Sequence, residues 1–288
     1  MDKLKKYLTN NDKVRVYVID ATEMVQEVRD LHGLSNVATA ALGRSLMATT
    51  MMCAMAKGKR ERVTTTIKGD GPIGTIAVCG NGMLEMKAYC QNPTVELPKN
   101  KYGKLDVAGA IGKGKLNIIK DIGLREPVSG NCELFTSEVA EDYAYYFYTS
   151  EQTPSVVALG VLIGEDNKVA KAAGYIIQPL PECEEEILIT LESINKSIQS
   201  VSYLTLDLGN LDDVCKTITG DNNIKVLEEE TPKLKCDCSR RRIEQAIITL
   251  GREEAVKHAE EHNGMEVGCQ FCNKKYNLTK EEVEKLFK

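Results

Sequence analysis

The chain has no tryptophan, four phenylalanines and only three histidines in 288 residues. The shortage of aromatic residues says little about function, but other absences exclude more. No N-terminal stretch combines a basic segment, an apolar segment and a small-residue cleavage site, so no secretory signal is expected. The longest apolar run, Val37 to Met55, contains Arg44 and many small residues and lacks the flanks of a membrane span. It reads as a buried central helix that begins after Ser35. No HExxH, Ser/His/Asp or Cys/His constellation is recognisable, and there is no internal repeat or low-complexity tract. The chain is therefore not expected to be an enzyme.

Charge is distributed unevenly. The whole chain carries a net charge of −5, yet residues 182–231 hold twelve acidic residues and three lysines, a net −9. An acidic middle argues against nucleic acid as the main partner, since phosphate binding needs basic surface. It suggests a solvated, loosely held connector. Leu191, Ile194, Ile198 and Val201 fall at helical spacing, so part of this connector is expected to form an amphipathic helix that docks reversibly.

Before the connector, residues 1–181 read as an α+β domain with mostly antiparallel pairing. Arg15 to Asp20 alternates like a strand, and Thr22 to Leu31 and Ser35 to Met55 read as helices. Val63 to Ile67, Thr75 to Val78 and Met83 to Tyr89 follow a period of two, with Gly80-Asn81-Gly82 as a hairpin turn. Leu116 to Ile119, Ser155 to Ile163 and Ala172 to Ile177 are further strands, and Glu138 to Tyr148 a helix. After the connector, residues 232–288 form a small unit. Ser239 caps a helix stopped by Gly251, a second helix runs to about His262, and Thr279 to Glu282 is a capping box.

What the chain does have is ten cysteines without a secretory signal, which suits a reducing compartment where thiols bind metal or react. Four stand out: Cys236-Asp237-Cys238 and Cys269-Gln270-Phe271-Cys272. Two close pairs match a closed tetrahedral site holding one zinc per chain. Four protein ligands leave no open position for water, which favours a structural or switching metal over a catalytic one. A core in a unit this small supplies only about 3–5 kcal/mol. Structural zinc supplies about 10–16 kcal/mol in small zinc peptides, so folding of this unit is expected to depend on it. The remaining cysteines, Cys53, Cys79, Cys90, Cys132, Cys183 and Cys215, lack paired spacing and read mostly as small apolar residues.

Weaker signals yield to plain readings. Gly69-Asp-Gly-Pro-Ile-Gly74 has the spacing of a dinucleotide fingerprint, but a strand follows it where a helix is needed, so turns are expected. Gly112-Lys-Gly-Lys115 reads as a lysine-bearing loop, and His258 and His262 as solvated side chains without a third ligand. A zinc-ribbon nucleic-acid-binding protein is one alternative, suggested by the cysteines and Arg240-Arg241-Arg242 and opposed by the acidic connector; a metalloenzyme is the other, and it needs an open zinc position with bound water, which four cysteine ligands exclude.

Arg29 to His32 with Ala38 to Arg44, Lys68 to Gly74, Gly112 to Leu116, Ser150 to Ser155, Gly174 to Gln178 and the two cysteine motifs stand in an order that carries more than any one of them. Together these segments resemble the heat shock protein 33 family of redox-regulated holdase chaperones. Val128 stands where the pattern has an aromatic and Ala88 where it has glycine. The resemblance implies a cytoplasmic protein that holds unfolded or partly folded clients without ATP, with no nucleic-acid or membrane partner. It implies an inactive, reduced, zinc-bound form, and activation by oxidation, zinc release and unfolding of the switch region. It implies a homodimer in the activated state. It implies Cys236, Cys238, Cys269 and Cys272 as zinc ligands, and Cys236–Cys238 and Cys269–Cys272 as the oxidised pairs. The implied fold is an N-terminal domain of antiparallel sheets packed with helices, a helical connector, and a small C-terminal zinc-binding redox switch domain.

Overall fold

The computed structural model describes residues 1–287. The chain opens with β1 (Lys3–Thr9) and β2 (Val14–Asp20), followed by α1 (Thr22–His32) and α2 (Asn36–Ala54). A meander follows: β3 (Arg62–Gly69), β4 (Thr75–Asn81), β5 (Glu85–Cys90), α3 (Val107–Ile111), β6 (Gly114–Asp121) and β7 (Val128–Glu133). Next come α4 (Ala140–Thr149), β8 (Val156–Ile163) and β9 (Val169–Pro179), then α5 (Glu185–Ser197), α6 (Val201–Leu208) and α7 (Leu211–Thr219). Strands β10 (Lys225–Glu230) and β11 (Lys233–Leu234) precede α8 (Arg240–Leu250), α9 (Arg252–Glu261), β12 (Met265–Gly268), β13 (Lys275–Leu278) and α10 (Lys280–Lys285). Two compact units result, Met1–Leu234 and the residues from Lys235 onward.

The first unit holds a five-stranded sheet ordered β10-β1-β2-β9-β8 and a six-stranded sheet ordered β11-β5-β4-β3-β6-β7. Pairing is antiparallel throughout except for the short β11–β5 contact. Helix α2 packs against strands of both sheets and is buried on nearly every side; Asn36 and Arg44 are its half-exposed residues. Such a helix must carry few charges, and its polar groups must be satisfied internally. The hydroxyls of Ser45, Thr49 and Thr50 donate to the carbonyls of Ala41, Ser45 and Leu46, one turn back. Ser35 caps the helix as expected, its Oγ accepting the Ala38 N–H at 3.2 Å.

The five-stranded sheet is buried on both faces. Tyr17, Ile19, Ala172 and Ile176 point toward α2, while Val14, Val16, Val18, Tyr175 and Ile177 point away from it. That second face is covered by the helices of the acidic connector, through Leu191, Val201, Leu211, Val214, Cys215 and Ile218. The expected single amphipathic helix is divided. Ile198 takes an extended conformation and Ser200 caps a new helix, so Leu191 and Val201 reach the sheet from separate helices. The connector is therefore acidic outside and well packed inside, not broadly solvated.

Other expectations shift by a few residues. β4 runs to Asn81, and the turn to β5 passes through Leu84 at φ 54°. The Asn81 side chain makes that turn by accepting the N–H groups of Met83 and Glu85. The glycine-rich segment after β3 is turns, as expected: the N–H groups of Asp70 and Gly71 donate to Lys113 and Ile111 carbonyls, so neither faces a ligand. No helix among the described residues is long and apolar enough to cross a membrane.

One buried carboxylate organises the entry to α4. Asp142 is fully buried; its Oδ1 accepts N–H groups from Phe135, Thr136 and Ser137, and its Oδ2 accepts that of Val139. These bonds hold Ser137 and Val139 at φ 63° and 70°, a region costly for a β-branched residue. Asp142→Ala leaves buried N–H donors unpaired, each worth about 1–3 kcal/mol. A loss of about 3 kcal/mol or more in urea-unfolding free energy is expected for the first unit, with little change in metal content.

Candidate metal centre

The second unit is built around a small apolar cluster of Ile247, Ala255, Ala259, Met265, Leu278 and Val283. Two alanines among these six show how little large apolar side chain is available. The local signals behave as the sequence suggests: Ser239 Oγ accepts the Arg242 N–H, and Thr279 with Glu282 closes a capping box. His258 and His262 are exposed and stack on each other at 4.3 Å, and among the described residues they join no cluster of three or more metal-ligating groups.

Strands β12 and β13 form a hairpin whose tip is the second cysteine pair. The Cys269 carbonyl accepts the N–H groups of Cys272 and Asn273, at 3.3 and 2.8 Å. The Cys269 N–H donates to the Lys274 carbonyl at 2.9 Å. Asn273 closes the turn at φ 57°, a left-handed conformation that Asn tolerates better than most residues. The segment 236–238 brings the first pair to this tip.

All four sulfurs, Cys236, Cys238, Cys269 and Cys272, lie within 4.8 Å of one another. The Cys236–Cys269 and Cys238–Cys272 separations are 3.7 and 3.4 Å. A tetrahedron with Zn–S bonds of about 2.3 Å has S···S edges of about 3.8 Å, so the cluster has the size of a four-thiolate zinc site. Two backbone donors point at the sulfurs, the Cys238 N–H to Cys236 and the Lys274 N–H to Cys272. Such bonds stabilise negative sulfur. The residues present fit the metal.

Tyr276 completes the site and was not legible from spacing. It lies four residues beyond Cys272, on β13, and its hydroxyl sits 3.1 Å from Cys238 Sγ. Burial pushes the Cys238 thiol up, but hydrogen bonds from Tyr276 and the neighbouring thiols outweigh it and hold it at about 7. Burial pushes Cys236 and Cys272 above the ordinary thiol value. Four adjacent thiols cannot all ionise without a cation among them.

The other cysteines are a different population. Cys53, Cys90, Cys132 and Cys215 are buried, and burial raises their thiols to about 12, 12, 11 and 12. Cys79 and Cys183 are half-buried. The basic run weighs against a nucleic-acid surface, because Arg240 pairs with Glu244 and Glu282 and Arg242 with Asp237.

Fold and site together define an α+β protein with a C-terminal four-cysteine cluster suited to zinc. A family model described as Hsp33 protein matches residues 2–279. The 33 kDa chaperonin of Caldanaerobacter subterraneus subsp. tengcongensis is 44% identical over 288 residues, covering 100% of this chain and 98% of that protein. The 33 kDa chaperonin of Halalkalibacterium halodurans is 42% identical over 287 residues, with 99% and 98% covered. The crystal structure of the Thermotoga maritima 33 kDa chaperonin matches with a TM-score of 0.89 and 35% identity, over 99% of this chain and 97% of that one. The chain belongs to the Hsp33 family.

Tyr276→Phe removes one polar atom from the edge of the site and leaves the hairpin intact. Loss of a hydrogen bond to a metal ligand costs about 10–100-fold in metal affinity. Chelator competition with Zn²⁺ is expected to show about tenfold weaker retention, with an unchanged circular dichroism spectrum.

Proposed function

We propose that this chain is a redox-regulated holdase: reduced and zinc-bound it is inactive, and oxidised it holds unfolding proteins out of aggregates. The observation that carries this reading is the gathering of four thiols in a unit with so small an apolar core. Membership in a family whose named relatives are chaperonins supports it.

In this reading Cys236, Cys238, Cys269 and Cys272 hold one Zn²⁺ per chain. Bound there, the metal keeps the four sulfurs deprotonated and ties segment 236–238 to the β12–β13 hairpin. Peroxide is the oxidant. One thiolate of a pair takes an oxygen from peroxide, giving a sulfenic acid and hydroxide; the neighbouring thiolate then attacks that sulfur and a second hydroxide leaves, both taking up solvent protons to become water. Each pair thus consumes one peroxide and forms one disulfide. Cys269 pairs with Cys272 and Cys236 with Cys238, because the rings closed within each motif are short. The sulfur separations do not select this pairing: the contacts of 3.7 and 3.4 Å are cross-motif ones, and all four sulfurs lie within 4.8 Å of one another. The buried thiols elsewhere, raised by burial, are poor competitors for the oxidant.

Once its thiolates are consumed the site no longer holds the metal. Without that free energy, about 10–16 kcal/mol in small zinc peptides, the second unit has little to remain folded. Cys236 lies two residues beyond β11 in the chain, so unfolding reaches the connector directly. The connector, residues 182–231, then leaves the outer face of the five-stranded sheet. Both surfaces so exposed are apolar, which is what an unfolding client binds. Clients are unfolded or partly folded polypeptides, the activated form is a homodimer, and the protein acts in the cytoplasm without membrane or nucleic-acid partners.

A thermally unfolding client tests the reading directly. Peroxide-treated protein is expected to suppress client aggregation at substoichiometric to equal ratios, reduced zinc-loaded protein to be inactive, and reductant with Zn²⁺ to restore the inactive state. Aggregation of the oxidised protein itself, with no protection of the client, would overturn it. Metal analysis is expected to give one zinc per chain and none after Cys269→Ser with Cys272→Ser. Peptide mapping that found mainly Cys238–Cys269 links would reject the pairing scheme.

Hydrogen exchange supplies a separate check. Residues 182–231 are expected to open together with the second unit and well before residues 1–181, because the connector meets the sheet through one face only. Equal protection of connector and N-terminal strands in oxidised protein would contradict this.

A further inference from the structure

Strand β10 is attached to the five-stranded sheet unlike any other strand in it. Its residues Lys225 to Glu229 are exposed, and Val226 and Leu227 are 49% and 45% exposed, so it inserts no apolar anchor. Its ladder with β1 is interrupted by a bulge: Lys6 faces Glu228, whereas Tyr7 faces Val226. What remains is charge. Glu229 pairs with Lys3 and Lys5, both at 3.3 Å, Glu228 with Lys6 at 3.7 Å, and Lys225 with Asp12 at 2.5 Å. The strand beneath it is permanent by contrast. β1 pairs with β2 over its full length and buries Leu4 and Tyr7 completely. Asp212 of connector helix α7 also pairs with Lys5 at 3.0 Å and accepts the Tyr7 hydroxyl at 2.8 Å, ties that depart with the connector and leave the β1–β2 ladder to hold the edge.

We propose that β10 is an exchangeable occupant of the β1 edge, and that when it leaves, the same edge takes an extended acidic segment of an unfolding polypeptide by strand addition. The inference rests on the holdase reading for the event that releases β10, and deepens it by naming one recognition surface and the chemistry it selects. An edge strand offers a row of backbone donors and acceptors that any extended chain can meet. Side chains decide which chain. Lys3, Lys5 and Lys6 on β1 complement glutamates on both faces of the added strand, as Glu228 and Glu229 show. The same lysines disfavour a second copy of β1 on this edge, since antiparallel self-pairing would bring like charges together. A basic edge is also a poor template for a purely apolar strand.

The test uses the full chain and two fluorescent synthetic peptides: residues 222–232, and the same peptide with Glu228, Glu229 and Glu230 replaced by lysine. Anisotropy titration of peroxide-oxidised protein is expected to show saturable binding of the acidic peptide. Binding to the reduced zinc-loaded protein, and of the lysine peptide to oxidised protein, is expected to be at least about tenfold weaker, and salt at about 0.5 M should weaken the acidic peptide similarly. A reduced Glu228→Lys, Glu229→Lys protein, whose own β10 is repelled, is expected to bind the acidic peptide without oxidant. Oxidised protein that protects a client yet binds neither peptide, or both equally, overturns the edge proposal and leaves the holdase reading standing. Peptide binding by the charge-reversed protein, with no client protection by oxidised wild type, supports the edge proposal and overturns the holdase reading.

Discussion

Burial of α2 on nearly every side is the constraint from which the first unit follows. A helix with one charged residue, Arg44, and many alanines, methionines and hydroxyl residues cannot remain in water, and a single sheet covers only one face of it. Two sheets are therefore needed. The residues that meet it are the inward halves of alternating strands, Tyr17, Ile19 and Ile176 on one side and Ile67, Val78 and Met86 among those on the other. Close approach matters as much as apolarity. A Cβ added at Gly43 would lie 2.9 Å from Val25 and 3.0 Å from Val161, so glycine there lets α1 and β8 pack directly on the helix.

The two units differ in what sustains them. In the first, an extended apolar cluster runs between the sheets and another lies under the connector helices. In the second, the apolar cluster among the described residues has six buried members, two of them alanine, and the four thiols gather segment 236–238 at the β12–β13 hairpin. The connector stands between these extremes: apolar where it meets the sheet, held by surface ion pairs along β10. Exposed pairs of this kind contribute about 0–1 kcal/mol each and weaken with salt.

Cysteine placement follows the same division. Cys53, Cys90, Cys132 and Cys215 are sealed in apolar surroundings that keep them as thiols. Cys238 receives a hydroxyl hydrogen bond that favours the thiolate. Eight chemically identical side chains thus become buried packing in one place and a metal-sized cluster in another, through burial and donors alone, while Cys79 and Cys183 stay half-buried.

Much of this was legible in the linear chain, because it depends on neighbours in sequence. The spacing of Cys236 with Cys238 and Cys269 with Cys272 is local, and so are the caps at Ser35, Ser239 and Thr279, the alternation of β3 and the apolar runs of β8 and β9. Elements whose pattern is set by distant partners were not. β1 reads Lys-Leu-Lys-Lys-Tyr-Leu-Thr and β10 ends in three glutamates; each looks like a solvated segment until the other supplies the opposite charge. The break at Ile198, the seat of the connector on the sheet, and the approach of Tyr276 to Cys238 likewise exist only in the folded chain. Sequence alone determined which four cysteines are spaced to hold a metal and where the helices after Ser35, Ser239 and Thr279 start. Tertiary structure decided which charges meet, which cysteines are buried, and which strand is left at the edge, because each of these depends on groups brought together from far along the chain.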